Sequence, residues 1–159
     1  MHRPAKLFSF CLLLVLGASA SPAAAEERPF HGSVEATWDD IFEAFGPDGA
    51  TFEGGGPVTH MGNTTQTGIL YLSSEANAQG LYPGHGSVTI TAANGDEVTF
   101  DYEGLLDPLT GEGTGTFTFT GGTGRFAGAT GGGTFDAFID LSLPTDQPMS
   151  VTLDGTINY

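Results

Sequence analysis

The chain has 159 residues and a formal net charge of −15, with 19 carboxylates against four Lys and Arg side chains. Each contact with a phosphate backbone needs a cation to displace counterions, so this balance excludes nucleic-acid binding as a function class. Cys11 is the only cysteine, which excludes both a disulfide scaffold and a cysteine-ligated zinc site.

The first 25 residues differ in kind from the rest. Arg3 and Lys6 precede an apolar run from Leu7 to Gly17 that ends in small residues, the pattern of a secretory signal peptide. Ala18-Ser19-Ala20 and Ala23-Ala24-Ala25 both offer Ala-x-Ala cleavage sites, and Glu26 and Glu27 favour the second by opening the polar part of the chain. The apolar run falls short of the ~20 residues that a membrane-spanning helix requires. The expected organisation is a signal peptide over 1–25 and one domain over 26–159, secreted or periplasmic and not membrane-embedded after cleavage. That domain keeps every carboxylate and only two cations, Arg28 and Arg125.

Within 26–159 apolar residues recur mostly at period two, among many threonines and glycines, which is the pattern of half-buried strands. In chain order the expected strands are Phe30 to Thr37, Thr51 to Met61, Thr65 to Leu72, Ser87 to Ala92, Val98 to Tyr102, Thr116 to Thr120, Gly133 to Leu143 and Met149 to Tyr159. Asn94-Gly95 between the fourth and fifth predicts a type I′ hairpin turn. Clusters such as Gly46-Pro47-Asp48-Gly49 and Asp107 to Gly111 punctuate the others. One short helical interruption fits Trp38 to Phe45, with Asp39 or Asp40 capping a turn and Ile41, Phe42 and Phe45 at helical spacing; alternatively Trp38, Phe42 and Phe45 extend the first strand or cover one end. The fold class is all-β, an antiparallel meander of about eight strands. A closed barrel removes exposed edges and is favoured, with a two-sheet sandwich as the alternative.

The most distinctive segment is Gly121 to Gly131, GGTGRFAGATG. No helix or βαβ unit surrounds it and no Gly-Lys-Ser/Thr occurs, so it is not a phosphate cradle. Its glycines permit positive φ and close backbone approach, which predicts a tight turn or bulge that redirects the chain.

This string resembles the glycine-rich segment shared by plant allene oxide cyclases and dirigent proteins, in which GG(T/S)G-x-F is followed by Ala and Gly. Gly121, Gly122, Thr123, Gly124, Phe126, Ala129 and Gly131 match, and Gly128 matches the cyclase form. The chain thus looks like a secreted, bacterial-type member of the allene oxide cyclase and dirigent-like barrel superfamily. The resemblance implies an eight-stranded antiparallel barrel with a central cavity. It covers 11 residues and carries no cyclase pocket residue onto this chain, and a mature domain without cysteine departs from the cyclase pattern.

The candidate ligand-binding residues are His60, Arg125, Tyr71 and Tyr102. His60 stands at a strand end from which it would reach a barrel opening, and Arg125 is expected either to pair with a carboxylate or to recognise an anion at a cavity mouth. The histidines lack metal-site spacing, and neither a metal nor a cofactor is expected. The expected function is non-catalytic binding of a small apolar or phenolic molecule. The alternatives are a filled-core structural or interaction domain, and an isomerase or cyclase that polarises its substrate with His60 or a buried carboxylate. An outer-membrane barrel is the outsider. Oligomeric state is not readable from the sequence.

Overall fold

The computed structural model describes residues 26–159; the signal-peptide expectation for 1–25 lies outside the described residues. The period-two segments form β1 (Arg28–Trp38), β2 (Ala50–Val58), β3 (Gly62–Leu72), β4 (Tyr82–Ala92), β5 (Glu97–Leu106), β6 (Glu112–Gly122), β7 (Thr130–Ile139) and β8 (Gln147–Asn158). Each strand pairs antiparallel with the next. β8 then returns to β1 in continuous register from Arg28↔Ile157 to Trp38↔Gln147, closing the barrel. Closure gives every strand a partner on both sides and leaves no sheet edge, so the sandwich alternative is set aside.

Alternation decides what faces inward. Along β5, Val98, Phe100, Tyr102, Gly104 and Leu106 point into the barrel, while Asp101, Glu103 and Leu105 stand exposed. Glu35, Glu53, Asp136 and Asp154 are likewise exposed on the outer wall.

The β4–β5 hairpin differs from the type I′ expectation. The Ala92 N–H donates to the Asp96 carbonyl and the Gly95 N–H to the Ala92 carbonyl, both at 2.9 Å, so the loop is Ala93–Gly95. Gly95 has φ +85, but Asn94 is not among the positive-φ residues, and a type I′ turn needs positive φ at both. The Asn94 side chain instead donates to the Asp96 carboxylate at 2.9 Å and accepts from the Asp96 N–H at 3.2 Å, which holds the longer loop.

The glycine-rich segment does redirect the chain. Register slips between Thr99↔Gly121 and Phe100↔Phe119, leaving Thr120 as the extra residue of a bulge. A 3-10 turn, Gly124–Phe126, then drops the fully buried Phe126 ring into the barrel end against Tyr159, with ring centroids 4.8 Å apart. Gly124, at φ +56, lies so close to the Asp96 carboxylate that a Cβ would overlap it. Behind this plug Phe30, Phe100, Phe117 and Phe119 interlock, Phe30 meeting Phe119 edge-on at 4.9 Å.

The opposite end is covered differently. A 3-10 helix, Ile41–Phe45, is capped by Asp40, whose Oδ1 accepts from the Phe42 N–H at 2.9 Å. The buried Gln147 ties it down: Oε1 accepts from the Ile41 N–H and Nε2 donates to the Leu143 carbonyl, both at 3.2 Å. The 3-10 repeat of about three residues per turn buries Ile41 and Ala44 on one face and leaves Phe42 and Phe45 exposed, which corrects the grouping of Ile41, Phe42 and Phe45 on one face.

Phe126 is therefore the structural payload of the glycine-rich segment. Truncation in Phe126→Ala is expected to lower unfolding free energy by about 3–5 kcal/mol. Urea denaturation checks this, and a loss below about 1 kcal/mol would mean that the ring does not plug the barrel.

Candidate functional site

Inside the barrel the two halves are filled differently. Toward the Phe126 end, rings and branched side chains meet across the axis. Toward the Gln147 end, several inward positions are glycine: Gly84, Gly104 and Gly115 pair in one row across β4, β5 and β6. The Phe135 ring occupies the space left at Gly104 and Gly115, where an added Cβ would stand 3.0 and 2.7 Å from it, and Leu70 and Leu72 lie over Gly84. Gly86 gives the Tyr102 hydroxyl the same clearance, at 2.8 Å from an added Cβ. Tyr102 and Phe135 meet edge-on at 5.6 Å.

What remains between them is a partly open cavity of about 90 Å³. Its walls are hydrocarbon, aromatic ring and glycine apart from the Gln66 side chain, with Trp38, Leu70, Phe100, Tyr102, Phe135 and Met149 among them, and no charged side chain lines it. The volume is smaller than that of an apolar cavity of about 150 Å³ that takes up benzene, so one small ring is the upper limit of what it holds.

Tyr102 is the one candidate from the sequence that lines this cavity. Its hydroxyl donates to the Ile69 carbonyl at 3.0 Å, and burial pushes its phenol well above the ordinary tyrosine range. Tyr71 points outward from β3 and stacks on His85 at 5.5 Å on the outer wall.

His60 and Arg125 meet at the other end of the barrel. His60 occupies the β2–β3 turn with φ +66, exposed, its Nε2 2.9 Å from the Pro29 carbonyl oxygen. Arg125 donates to the His60 carbonyl, pairs with Asp96 at 3.7 Å and lies over the Phe126 ring. The ion pair expected of Arg125 is therefore present. Neither residue lines the cavity: His60 lies at a barrel end, as its strand-end position led one to expect, and it is the end that Phe126 plugs. The matched residues Gly121, Gly122, Thr123, Gly124, Phe126, Gly128, Ala129 and Gly131 likewise build the plug, not the cavity wall.

Sequence reading missed Trp38 and Gln66 as cavity residues. Gln66 carries a usable signal, since it occupies the inward register of β3 with Thr64, Gly68, Leu70 and Leu72. Among the described residues no group of three His, Asp or Glu is placed to hold a metal.

Charge divides along the axis. Arg28, over the Tyr159 ring at 4.7 Å, and Arg125 both sit at the Phe126 end. The loops of the Gln147 end carry Asp39, Asp40, Asp48, Asp107, Asp140 and Asp146 and no cation. Asp140 is held below the usual carboxylate range by the side-chain and backbone hydrogen bonds from Ser142. The six large apolar residues that remain exposed, Phe42, Phe45, Leu105, Leu109, Phe138 and Leu143, gather around the same end.

Comparison with known proteins places the fold. Neither protein-family models nor curated protein sequences give a match to this chain. Among solved structures, the pterocarpan synthase dirigent protein is similar at 16% identity and a TM-score of 0.51, over 89% of this chain and 98% of its own.

The raised Tyr102 phenol makes a prediction about pH. An unfolded tyrosine ionises near pH 10, whereas the buried Tyr102 keeps its proton beyond that point, so the unfolded state binds fewer protons and stability falls as pH rises above about 10. Denaturation between about pH 9 and 11.5 is expected to show this slope, and Tyr102→Phe is expected to lose one proton's share of it. An unchanged slope in the variant would place the hydroxyl in water.

Closed, antiparallel and eight-stranded, the chain has the dirigent-type barrel fold that its glycine-rich segment led us to expect.

Proposed function

We propose that this protein is an exported, non-catalytic binder of a small apolar or phenolic molecule, held in the Gln147 half of the barrel. The observation that carries the reading is the apolar cavity itself. A purely structural barrel has no need of an unfilled apolar space, and a filled core would be the more stable arrangement. The pterocarpan synthase name of the structural neighbour supports a barrel that deals with small organic molecules.

Binding is favoured over isomerase or cyclase chemistry because the buried polar side chains are Thr64, Gln66 and Gln147, with no Asp, Glu or His among them. The one acidic group in the cavity wall, the Tyr102 hydroxyl, is committed to the Ile69 carbonyl and its phenol is pushed above the ordinary range, which suits it poorly to moving a proton. A water-facing barrel is favoured over a membrane one by the outer wall, where Glu35, Glu53, Asp101, Glu103, Asp136 and Asp154 stand exposed in mid-strand. A lipid-facing barrel has the reverse order, apolar outside and polar within. The leader-like residues 1–25 support export.

Toluene and phenol, titrated into the mature protein, are expected to raise its melting temperature and to change the emission of Trp38, the sole tryptophan. Ala137→Leu, which extends a cavity-wall side chain into the space, is expected to keep the fold and abolish both effects. If neither molecule changes melting or emission, the structural reading replaces this one. Benzoate is expected to bind more weakly than toluene, because no cation near the cavity compensates its charge.

A further inference from the structure

The large apolar side chains left exposed among the described residues are not scattered. Phe42, Phe45, Leu105, Leu109, Phe138 and Leu143 all belong to the loops and strand ends of the Gln147 end, and none lies at the Phe126 end. Leu109 is 92% exposed, and Phe42 and Phe138 are 53% and 52% exposed. Single exposed apolar residues need no explanation, but a set gathered on one face marks a surface that meets something. The mouth of the cavity does not account for the set, since Leu105 alone among these residues also lines the cavity.

The face is built to keep its shape. Three of its four loops hold an aspartate whose Oδ1 accepts from the N–H two residues on: Asp40 from Phe42 at 2.9 Å, Asp107 from Leu109 at 2.8 Å, and Asp140 from Ser142 at 3.0 Å, just before Leu143. Each turn fixes an apolar side chain close to a carboxylate. The loops are also tied together, the Asp146 N–H donating to the Asp39 carbonyl at 3.1 Å and the Ile139 N–H to the Gly111 carbonyl at 2.9 Å. A surface fixed in advance loses little freedom on docking.

Charge decides what can cover this face. Glu43 and Glu75 join the aspartates of these loops, and no Lys or Arg stands among them. A second copy of the chain is a poor occupant, because a twofold contact would set each acidic rim against the other with no cation between them. Anionic lipid is repelled for the same reason. We propose that the Gln147 end is a docking face for a basic protein, one whose contact surface sets apolar side chains among lysines and arginines. Its apolar groups cover Phe42, Leu109, Phe138 and Leu143, and its cations meet the carboxylates that stand between them. Docking there uses the outside of the barrel and is independent of what the cavity holds.

The probe is a labelled synthetic peptide of leucine and lysine with its leucines on one helical face, titrated into the mature protein at physiological salt and read by fluorescence anisotropy. Replacing its leucines by alanine at unchanged charge is expected to weaken binding about tenfold. On the protein, Leu109→Ser combined with Phe138→Ser, both outside the core, is expected to weaken binding of the leucine peptide about tenfold. Glu43→Gln, Asp48→Asn and Glu75→Gln together are expected to do the same. Glu35→Gln, Asp101→Asn and Asp154→Asn, which remove as much charge from the outer wall, are expected to change affinity less than about twofold. Equal losses from the two charge sets would reduce the attraction to net charge and overturn the inference, as would unchanged binding by the Leu109→Ser and Phe138→Ser protein. A mature protein that sediments as a dimer, dissociated by that double substitution, would give the face to a second copy and overturn it too. Flotation with phosphatidylcholine vesicles, lost on the same substitution, would give the face to a membrane with the same consequence.

Discussion

Everything inside this protein depends on the pairing of β1 with β8. Without that seam the eight strands would be an open sheet with two unpaired edges, and its apolar face would need another layer to cover it. With the seam closed, the inward face covers itself, and the question becomes how fully its side chains fill the space. The answer varies along the axis. Phe30, Phe100, Phe117, Phe119 and Phe126 fill one half with interlocking rings, while glycines at 84, 104 and 115 thin the wall of the other. Glycine inside a strand weakens it, and its repeated use at paired inward positions is explained by the rings of Phe135 and Tyr102 that lie across the gaps.

The two ends divide the remaining work. At the Phe126 end both cations of the described residues are spent on structure, each over an aromatic ring, and the glycine-rich segment uses its conformational freedom to seat a plug. At the Gln147 end the loops are acidic, the exposed apolar side chains collect, and a short 3-10 helix is held by one buried amide. A neutral molecule approaching that end meets apolar surface and no competing cation, whereas an anion meets uniform repulsion.

How much of this the sequence carried follows from which physical rule was local. Strand positions and facing along β5 are local: Val98, Phe100 and Tyr102 alternate with Asp101 and Glu103, and period two assigns their faces without knowledge of partners. The glycine-rich segment was legible as a redirection of the chain, and its resemblance was legible as a fold, because both rest on backbone conformation. Cross-strand neighbours were not legible. That Tyr71 stacks outward on His85, or that Arg125 reaches the His60 carbonyl, depends on register and on loops distant in sequence. Inward glycines such as Gly104 and Gly115 carried no signal of their own, since composition does not separate a glycine that bends the chain from one that makes room for a ring. The first half of β3, Gly62 to Thr67, is polar or glycine on both faces, so the inward place of Gln66 is invisible until the later residues Leu70 and Leu72 fix the phase.

The central claim is that one half of the barrel is hollow and apolar and the other is solid. A crystal of the mature protein pressurised with xenon tests this most directly, since xenon enters empty apolar cavities and avoids polar or filled ones. The account predicts a xenon site bounded by Leu70, Phe100, Phe135 and Met149, and none among Phe30, Phe117 and Phe119. Xenon absent from the interior, or bound only among the phenylalanines of the plugged half, would contradict it.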